Sequence, residues 1–283
     1  METIDILIQK KARVTGHPLI MGIINATPDS FYLKSRFPTL EEATRRAYLL
    51  VEEGADIIDL GGESTKPGAE YVSLQEELDR VLPILESLGK NFPVPISIDT
   101  GKAEVARRAR ALGASILNDV SALRRDPEIL SEAVHFAGVI LMHSGGENPK
   151  TMQNNPVYRD VVSEVKSFLK ERKTALIQAG GKAESIFVDP GIGFGKTLDH
   201  NLALLKNLKE FSEIGSVVLG ASRKSFIGKI HPDGGPEDRM EGSLATSCWA
   251  ASCGVSIVRV HDVLATRRAL EVWRAIEGSA SFN

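Results

Sequence analysis

The sequence predicts an α/β protein folded as one (β/α)8 barrel, a TIM barrel. Eight short runs rich in Val, Ile and Leu are each followed by a polar turn and a longer segment with apolar positions three and four apart. No shift in composition divides the 283 residues, and barrels of this kind fill about 250 residues as a single domain. No Gly-x-Gly-x-x-Gly follows the first run, which disfavours an open dinucleotide-binding sheet.

In chain order the runs are Leu19–Asn25, Ile57–Gly61, Pro95–Asp99, Ser115–Asn118, Gly138–Met142, Ile186–Asp189, Ser216–Gly220 and Ser256–Val260. Their continuous apolar content suits parallel strands covered on both faces. The segments Leu40–Glu53, Leu74–Gly89, Lys102–Leu112, Pro127–Phe136, Tyr158–Ala179, Leu198–Phe211, Gly242–Ala251 and Asp262–Ile276 read as amphipathic helices. Residues 1–16 form a lead-in segment, 17–278 the barrel and 279–283 a tail. The stretch Ser144–Asp160, rich in Gly, Pro and Asn, reads as a loop that covers a site.

Composition narrows the function. Hydrophobic residues at 42% and charged residues at 25% are globular values. A net charge of -3 offers no basic footprint for nucleic acid or an anionic membrane surface. The start METIDILIQKKARVTGHP lacks the pattern of a secretory signal, and no stretch is apolar for long enough to span a bilayer, so a cytoplasmic protein is expected. Cys248 and Cys253 fall in one helical segment and read as small hydrophobes, not as a disulfide.

In such a barrel, polar groups at the C-terminal ends of strands face the active site. Here those ends carry Asn25, Gly61-Gly62-Glu63-Ser64-Thr65, Asp99, Asn118-Asp119, His143, Asp189, Ser222-Arg223-Lys224-Ser225 and Arg259-Val260-His261. A single Asp or Asn after a strand is most often a turn former or helix cap, and Asp119, Asp126 and Asp262 are read so. Asp99 and Asp189 differ, because each closes a very apolar run and is carried to the mouth on a rigid strand. A partly buried carboxylate there needs a cation or several N–H donors, such as the edge of a guanidine-like heterocycle.

Asn25, Arg259 and His261 become neighbours when the first and last strands meet. Together they offer an oxygen ligand, a fixed cation and an imidazole, which suits a phosphate or a metal-bound diphosphate. Ser222–Ser225, if a helix starts there, presents N–H groups and a hydroxyl to a carboxylate or phosphate; otherwise it is a surface cap. The run DPGIGFGK, Asp189–Lys196, lacks P-loop spacing and reads as a strand-to-helix turn. HExxH, CxxC, GxSxG and EF-hand patterns do not occur.

Taken together, MGIINATPDSF (21–31), DIIDLGGESTKPGA (56–69), ISIDT (96–100), ILNDV (116–120), MH (142–143), TMQ (151–153), VDPGIGFGKTLDHNLALL (188–205), GASRKSFIG (220–228), GSLAT (242–246) and RVHDV (259–263) resemble the dihydropteroate synthases, in the family's order and over most of the chain. The resemblance implies a transferase that joins (7,8-dihydropterin-6-yl)methyl diphosphate to 4-aminobenzoate, with release of diphosphate. It also implies Mg²⁺, a homodimer, and sulfonamides as competitors of the aminobenzoate. By matched position, Asp99, Asn118, Asp189 and Lys224 hold the pterin. Asn25 ligates Mg²⁺, and Arg259 and His261 grip the phosphates. Thr65 lies near the diphosphate, and Ser225, Pro67 and Phe194 form the aminobenzoate subsite. Asp99, Lys224, Arg259 and His261 are the catalytic set.

The pattern departs from the family at Lys66, where Arg is usual, and in the loop Tyr32-Leu33-Lys34-Ser35 after Phe31. The loop after His143 also differs. Two competing readings are a barrel that transfers a methyl group from methyltetrahydrofolate, which needs no diphosphate grip, and a paralogue that only binds pterin. Ser222–Ser225 with Arg259 and His261 argues against the first.

Overall fold

The computed structural model describes residues 16–27, 40–64, 71–146 and 156–278. The lead-in and tail expected at the termini therefore fall almost entirely outside the described residues. Eight parallel strands close into a barrel in sequence order: β1 (Leu19–Asn25), β2 (Ile57–Gly61), β3 (Ile96–Asp99), β4 (Ile116–Asp119), β5 (Gly138–Met142), β6 (Ile186–Asp189), β7 (Ser216–Leu219) and β8 (Ile257–Val260). Closure is made by β1 against β8, with Met21 opposite Arg259 and Gly22 opposite Val260. That register brings the first and last strand ends together, as their polar residues require.

Alternation along each strand divides two cores. Leu19, Met21, Ile57, Ile116, Ile140, Phe187, Val218 and Ile257 point inward and fill the lower barrel. Their neighbours one residue along, including Ile58, Leu117, Leu141, Val188 and Val258, point outward into the layer under the helices. One residue further along β2 and β4 the inward face changes to Asp59 and Asn118, both buried.

Among the described residues the α-helices are α1 (Leu40–Glu52), α2 (Leu74–Leu88), α3 (Ala103–Ala111), α4 (Ile129–Ala133), α5 (Val161–Gln178), α6 (Leu198–Lys206), α7 (Ser225–Ile230), α8 (Met240–Ser252) and α9 (Val263–Ile276). Caps set several starts. Ser73 accepts from Glu76 N at 3.1 Å, and Asp160 accepts from Val162 N and Ser163 N, which starts α5 three residues later than its periodicity suggests. The Pro127–Phe136 helix shrinks to five residues. Asp126 accepts from Ala103 N at 2.8 Å and Glu128 N at 2.9 Å, fixing the incoming turn, and Ala137 already bonds Ser115 O on the way into β5. The Leu198–Phe211 helix ends at Lys206 and continues as a 3₁₀ segment, Leu208–Glu213.

Candidate active site

At the C-terminal mouth the inward side chains of six strand ends converge. Asp99, Asn118, Asp189, Lys224 and Arg259, with Val120, Met142, Phe194, Val218 and Gly220, line one cavity of about 20 Å³. A larger cavity of about 480 Å³ lies at the opposite end, among strand beginnings such as Ser115 and Ile186. Its Arg110 is already paired with Glu132 at 2.8 Å, and among the described residues no carboxylate lines it. The mouth is where the chemistry is assembled.

Arg259 organises that mouth. Its Nε donates to Asp59 Oδ2 at 2.6 Å and an Nη donates to Asp99 Oδ2 at 2.9 Å, so one guanidinium serves two buried carboxylates. Asn118 Nδ2 donates to the same Asp59 oxygen at 3.2 Å. Burial pushes the Asp99 carboxyl up, to about 8, against the pull of Arg259, and the nearby Asp59 charge adds to the rise.

Asp189 accepts from Gly191 N at 2.7 Å and Gly220 N at 3.2 Å, which fixes its plane across the mouth. Burial raises its pKa as well, opposed by the Gly191 bond and by Lys224. Lys224 stands with its Nζ 3.8 Å from the centre of the Phe194 ring. Burial and the neighbouring Arg259 lower its pKa to about 7.

His261 follows β8 on the inward side. Ser222 Oγ accepts the His261 backbone N–H at 3.2 Å and lies 3.1 Å from its Nδ1. In the tautomer whose Nδ1 accepts from this hydroxyl, Nε2 of the neutral ring carries the proton and is free to donate. Burial, then Arg259, holds this imidazole at about 4.

The mouth thus gathers Asp99, Asn118, Asp189, Lys224, Arg259 and Phe194, with His261 at its rim. Asn25 ends β1 opposite Gly61 and is half-buried. Ser225 is the first residue of α7 and is exposed. Thr65, Lys66, Pro67 and Phe31 lie outside the described residues, as does 147–155, which includes TMQ. Asp119 forms a turn with Ser121 and Leu123, whereas Asp262 does not cap α9 but pairs with Arg223 at 2.8 and 2.9 Å. Glu63 is absent from the lining of that cavity and is held by Lys102 at 2.7 Å and by Arg125.

One functional residue was missed by reading strand ends alone. Asp59 sits two residues before the end of β2, fully buried, with Oδ1 unpaired among the described residues. Ser97, its register neighbour on β3, also has an unpaired hydroxyl. The signal was available, since an Asp in the middle of IIDLG shares the inward period of Ile57 and Gly61.

A divalent cation fits the donor set at the β1 end. Asn25 supplies one neutral oxygen, and Mg²⁺ characteristically takes one or two protein oxygens and completes its shell with phosphate and water.

The comparisons with known proteins agree with this geometry. A family described as "Pterin binding enzyme" matches residues 21–261. The chain is similar to the dihydropteroate synthase of Synechocystis sp., with 47% identity over 259 residues, 91% of this chain and 89% of that protein. It is similar in fold to the Xanthomonas albilineans dihydropteroate synthase solved with 4-aminobenzoic acid, at a TM-score of 0.85 and 44% identity over 92% of this chain and 93% of that one. The Yersinia pestis dihydropteroate synthase in complex with a sulfonamide drug gives a TM-score of 0.87 at 39% identity, covering 93% and 96% of the two chains. The chain belongs to the pterin-binding enzyme family and, within it, to the dihydropteroate synthases.

Proposed function

We propose that the protein condenses (7,8-dihydropterin-6-yl)methyl diphosphate with 4-aminobenzoate, by a dissociative displacement, in the cytoplasm and as a homodimer. Its family makes it a transferase of folate biosynthesis. The observation that carries the reading is the convergence of Asp99, Asn118, Asp189, Lys224 and Arg259 on one mouth.

Asp189 and Asn118 take the N–H edge of the aminopyrimidine, and Lys224 donates to the ring. The bond from the pterin methylene to the diphosphate oxygen breaks first, and its electron pair leaves with the diphosphate. Arg259 and the Nε2–H of His261 stabilise that departing charge, and Asp99, in its ionised form, offsets the cation left on the pterin. The lone pair of the aromatic amine of the second substrate then forms the C–N bond, and the anilinium so formed passes one proton to the released diphosphate or to water. Mg²⁺, held through Asn25 and the diphosphate, would supply further charge neutralisation when bound. Phe194 and Pro67 wall the aminobenzoate, Ser225 takes its carboxylate, and Thr65 lies beside the diphosphate. Sulfonamides compete for that same subsite.

For the homodimer, the support is the exposed apolar side chains of Leu202, Ile230 and Trp249 on α6, α7 and α8. For the cytoplasm, it is the two half-buried thiols of Cys248 and Cys253, neither of them in a disulfide; among the described residues no helix is long and apolar enough to cross a membrane.

Purified protein with Mg²⁺ and both substrates should release diphosphate and form dihydropteroate, with inhibition by a sulfonamide. No product under these conditions would sink the reading. In His261→Ala, kcat should fall by about 10- to 100-fold, with pterin diphosphate affinity less affected; wild-type turnover would remove His261 from the leaving-group grip.

A further inference from the structure

Lys196 is a lysine with no water to reach. It follows Phe194 and Gly195 in the turn after β6, is 2% exposed, and ranks with Phe187 and Phe211 among the largest fully buried side chains. Burying an ammonium is costly unless every proton has an acceptor. Here three acceptors surround Nζ: the Phe194 carbonyl at 2.9 Å, His143 Nδ1 at 2.9 Å and the His143 carbonyl at 3.4 Å. Burial and the adjacent Lys196 keep the His143 ring neutral, far below the usual imidazole range, so Nδ1 is an acceptor.

Beyond Met142 and Asp189, the last residues the sheet pairs, these bonds join the two strand ends together with Gly145 N donating to the Phe194 carbonyl at 3.3 Å and the Tyr158 hydroxyl donating to the Gly195 carbonyl at 3.0 Å. Beyond that point the chain after β5 and the turn after β6 touch closely. Gly191 has φ +69°, and a Cβ there would stand 1.9 Å from the His143 carbonyl oxygen. The turn could not approach His143 with any other residue at that position.

What the turn carries is Phe194. Its carbonyl is bonded by Lys196, and its ring packs on Met142 and lies under Lys224 Nζ at 3.8 Å. The pterin-facing carboxylates are placed differently. Asp99 and Asp189 end β3 and β6 and take their orientation from strand register and from Arg259, Gly191 and Gly220. The pterin side of the mouth is therefore mainly strand-borne, reached by the turn only through the Gly191 amide on Asp189, and the Phe194 side is wholly turn-borne.

We infer that Lys196 is a positioning residue whose buried ammonium staples the β6 turn to the end of β5, and so fixes the Phe194 wall against which the second substrate, an aromatic amine with a carboxylate, is held. Lys196 touches neither substrate. The inference rests on the synthase reading and adds a residue to the subsite that reading assigns to Phe194.

Lys196→Met keeps the volume and removes all three donors. With the full chain, Mg²⁺ and both substrates, the KM for 4-aminobenzoate should rise about 10-fold or more, from loss of roughly 1.4 kcal/mol of positioning per tenfold. The inhibition constant of a sulfonamide should rise by a similar factor. The Kd for pterin diphosphate, measured by calorimetry without the amine, should stay within about threefold of wild type, a split that a purely structural role does not give. If Lys196→Met does not fold, Lys196→Gln carries the same test. An unchanged aminobenzoate KM in a folded variant overturns the inference. So does a uniform loss in both substrates that tracks the folded fraction. Absence of turnover in the wild type takes down the synthase reading and this inference with it, whereas wild-type turnover with an unaltered variant refutes the inference alone.

Discussion

The two ends of the barrel interior are built on the same strands, two residues apart, and they obey opposite rules. At the lower end, Met21, Ile57, Ile116, Ile140, Phe187 and Val218 form a dry apolar plug. At the upper end, Asp59, Asp99 and Asp189 face Lys224 and Arg259, with buried carboxylate and hydroxyl oxygens at Asp59 and Ser97 unpaired among the described residues. Packing at the first end gains stability from area removed from water, at about 25 cal/mol per Å². The second end gives stability away, because ions are desolvated before a ligand completes their hydrogen bonds. One residue of inward period separates Phe187 from Asp189, which makes β6 the place to test that division.

The largest expected effect is on binding at the upper end. Asp189→Ala removes two charge-assisted hydrogen bonds to the pterin edge at about 1.5–3 kcal/mol each, a loss of roughly 10²- to 10⁴-fold in affinity. Calorimetry with the pterin diphosphate measures it, and wild-type affinity would sink the role. The thermal melt of the same variant should fall less than its affinity, because losing the bonds from Gly191 N and Gly220 N is partly offset by removing a buried carboxylate. Phe187→Ala should do the reverse, costing about 3–5 kcal/mol in urea unfolding while the folded fraction keeps its KM values. A Phe187→Ala protein of normal stability but altered KM would erase the distinction between the two ends.

Asp59 tests the upper end from below. It touches Arg259 and Asn118 but lies under them, fully buried. Asp59→Asn keeps its shape and removes the charge that aims the guanidinium, so kcat/KM should drop about 10- to 100-fold, the worth of one charge-assisted bond at about 1.5–3 kcal/mol. Stability should fall as well, since the Arg259 guanidinium is left with Asp99 as its one charged partner. A steady-state assay beside a melt reads both. Unchanged kcat/KM would mean that Asp99 alone orients Arg259.

How much of this was legible in the sequence follows from the same division. The eight strands and the closed barrel came from runs whose apolar content answers to burial on both faces, and the family then gave the reaction. Asp99, Asn118, Asp189 and Arg259 were legible because each stands at or beside a strand end. Asp59 was not, because attention to strand ends passes over a carboxylate inside an apolar run, although the inward period of two points to it. Lys196 was hidden for another reason: DPGIGFGK reads as a turn, and only the fold shows that the His143 carbonyl lies against it. The short α4 was overread because Pro127–Phe136 has helical period while Asp126 and the start of β5 consume both of its ends.

The smallest expected effect lies in the pH dependence of stability, where the upper end should show both signs at once. His261 is held at about 4 in the fold by burial and Arg259, against an ordinary 6.5. Between those values the unfolded chain binds more protons at this site, so its contribution is present above about 6.5 and is lost as pH falls through 4. Asp99 works oppositely. Its carboxyl is raised from 3.8 to about 8, so the folded state binds the proton more tightly, and its contribution is full below 3.8 and is lost as pH rises through 8. The two slopes partly cancel between pH 4 and 6.5, and a melt of the wild type alone conceals them. Subtracting the melts of His261→Asn from those of the wild type across pH 4–7 isolates the imidazole among Arg259, Arg223, Lys224 and Asp262, which face it. The difference should grow with pH by less than about 1.4 kcal/mol per unit, the limit for one proton. A difference that shrinks with rising pH would place a charged imidazole in the substrate-free mouth, and the neutral Nε2–H donor assigned to the departing diphosphate would have to be abandoned.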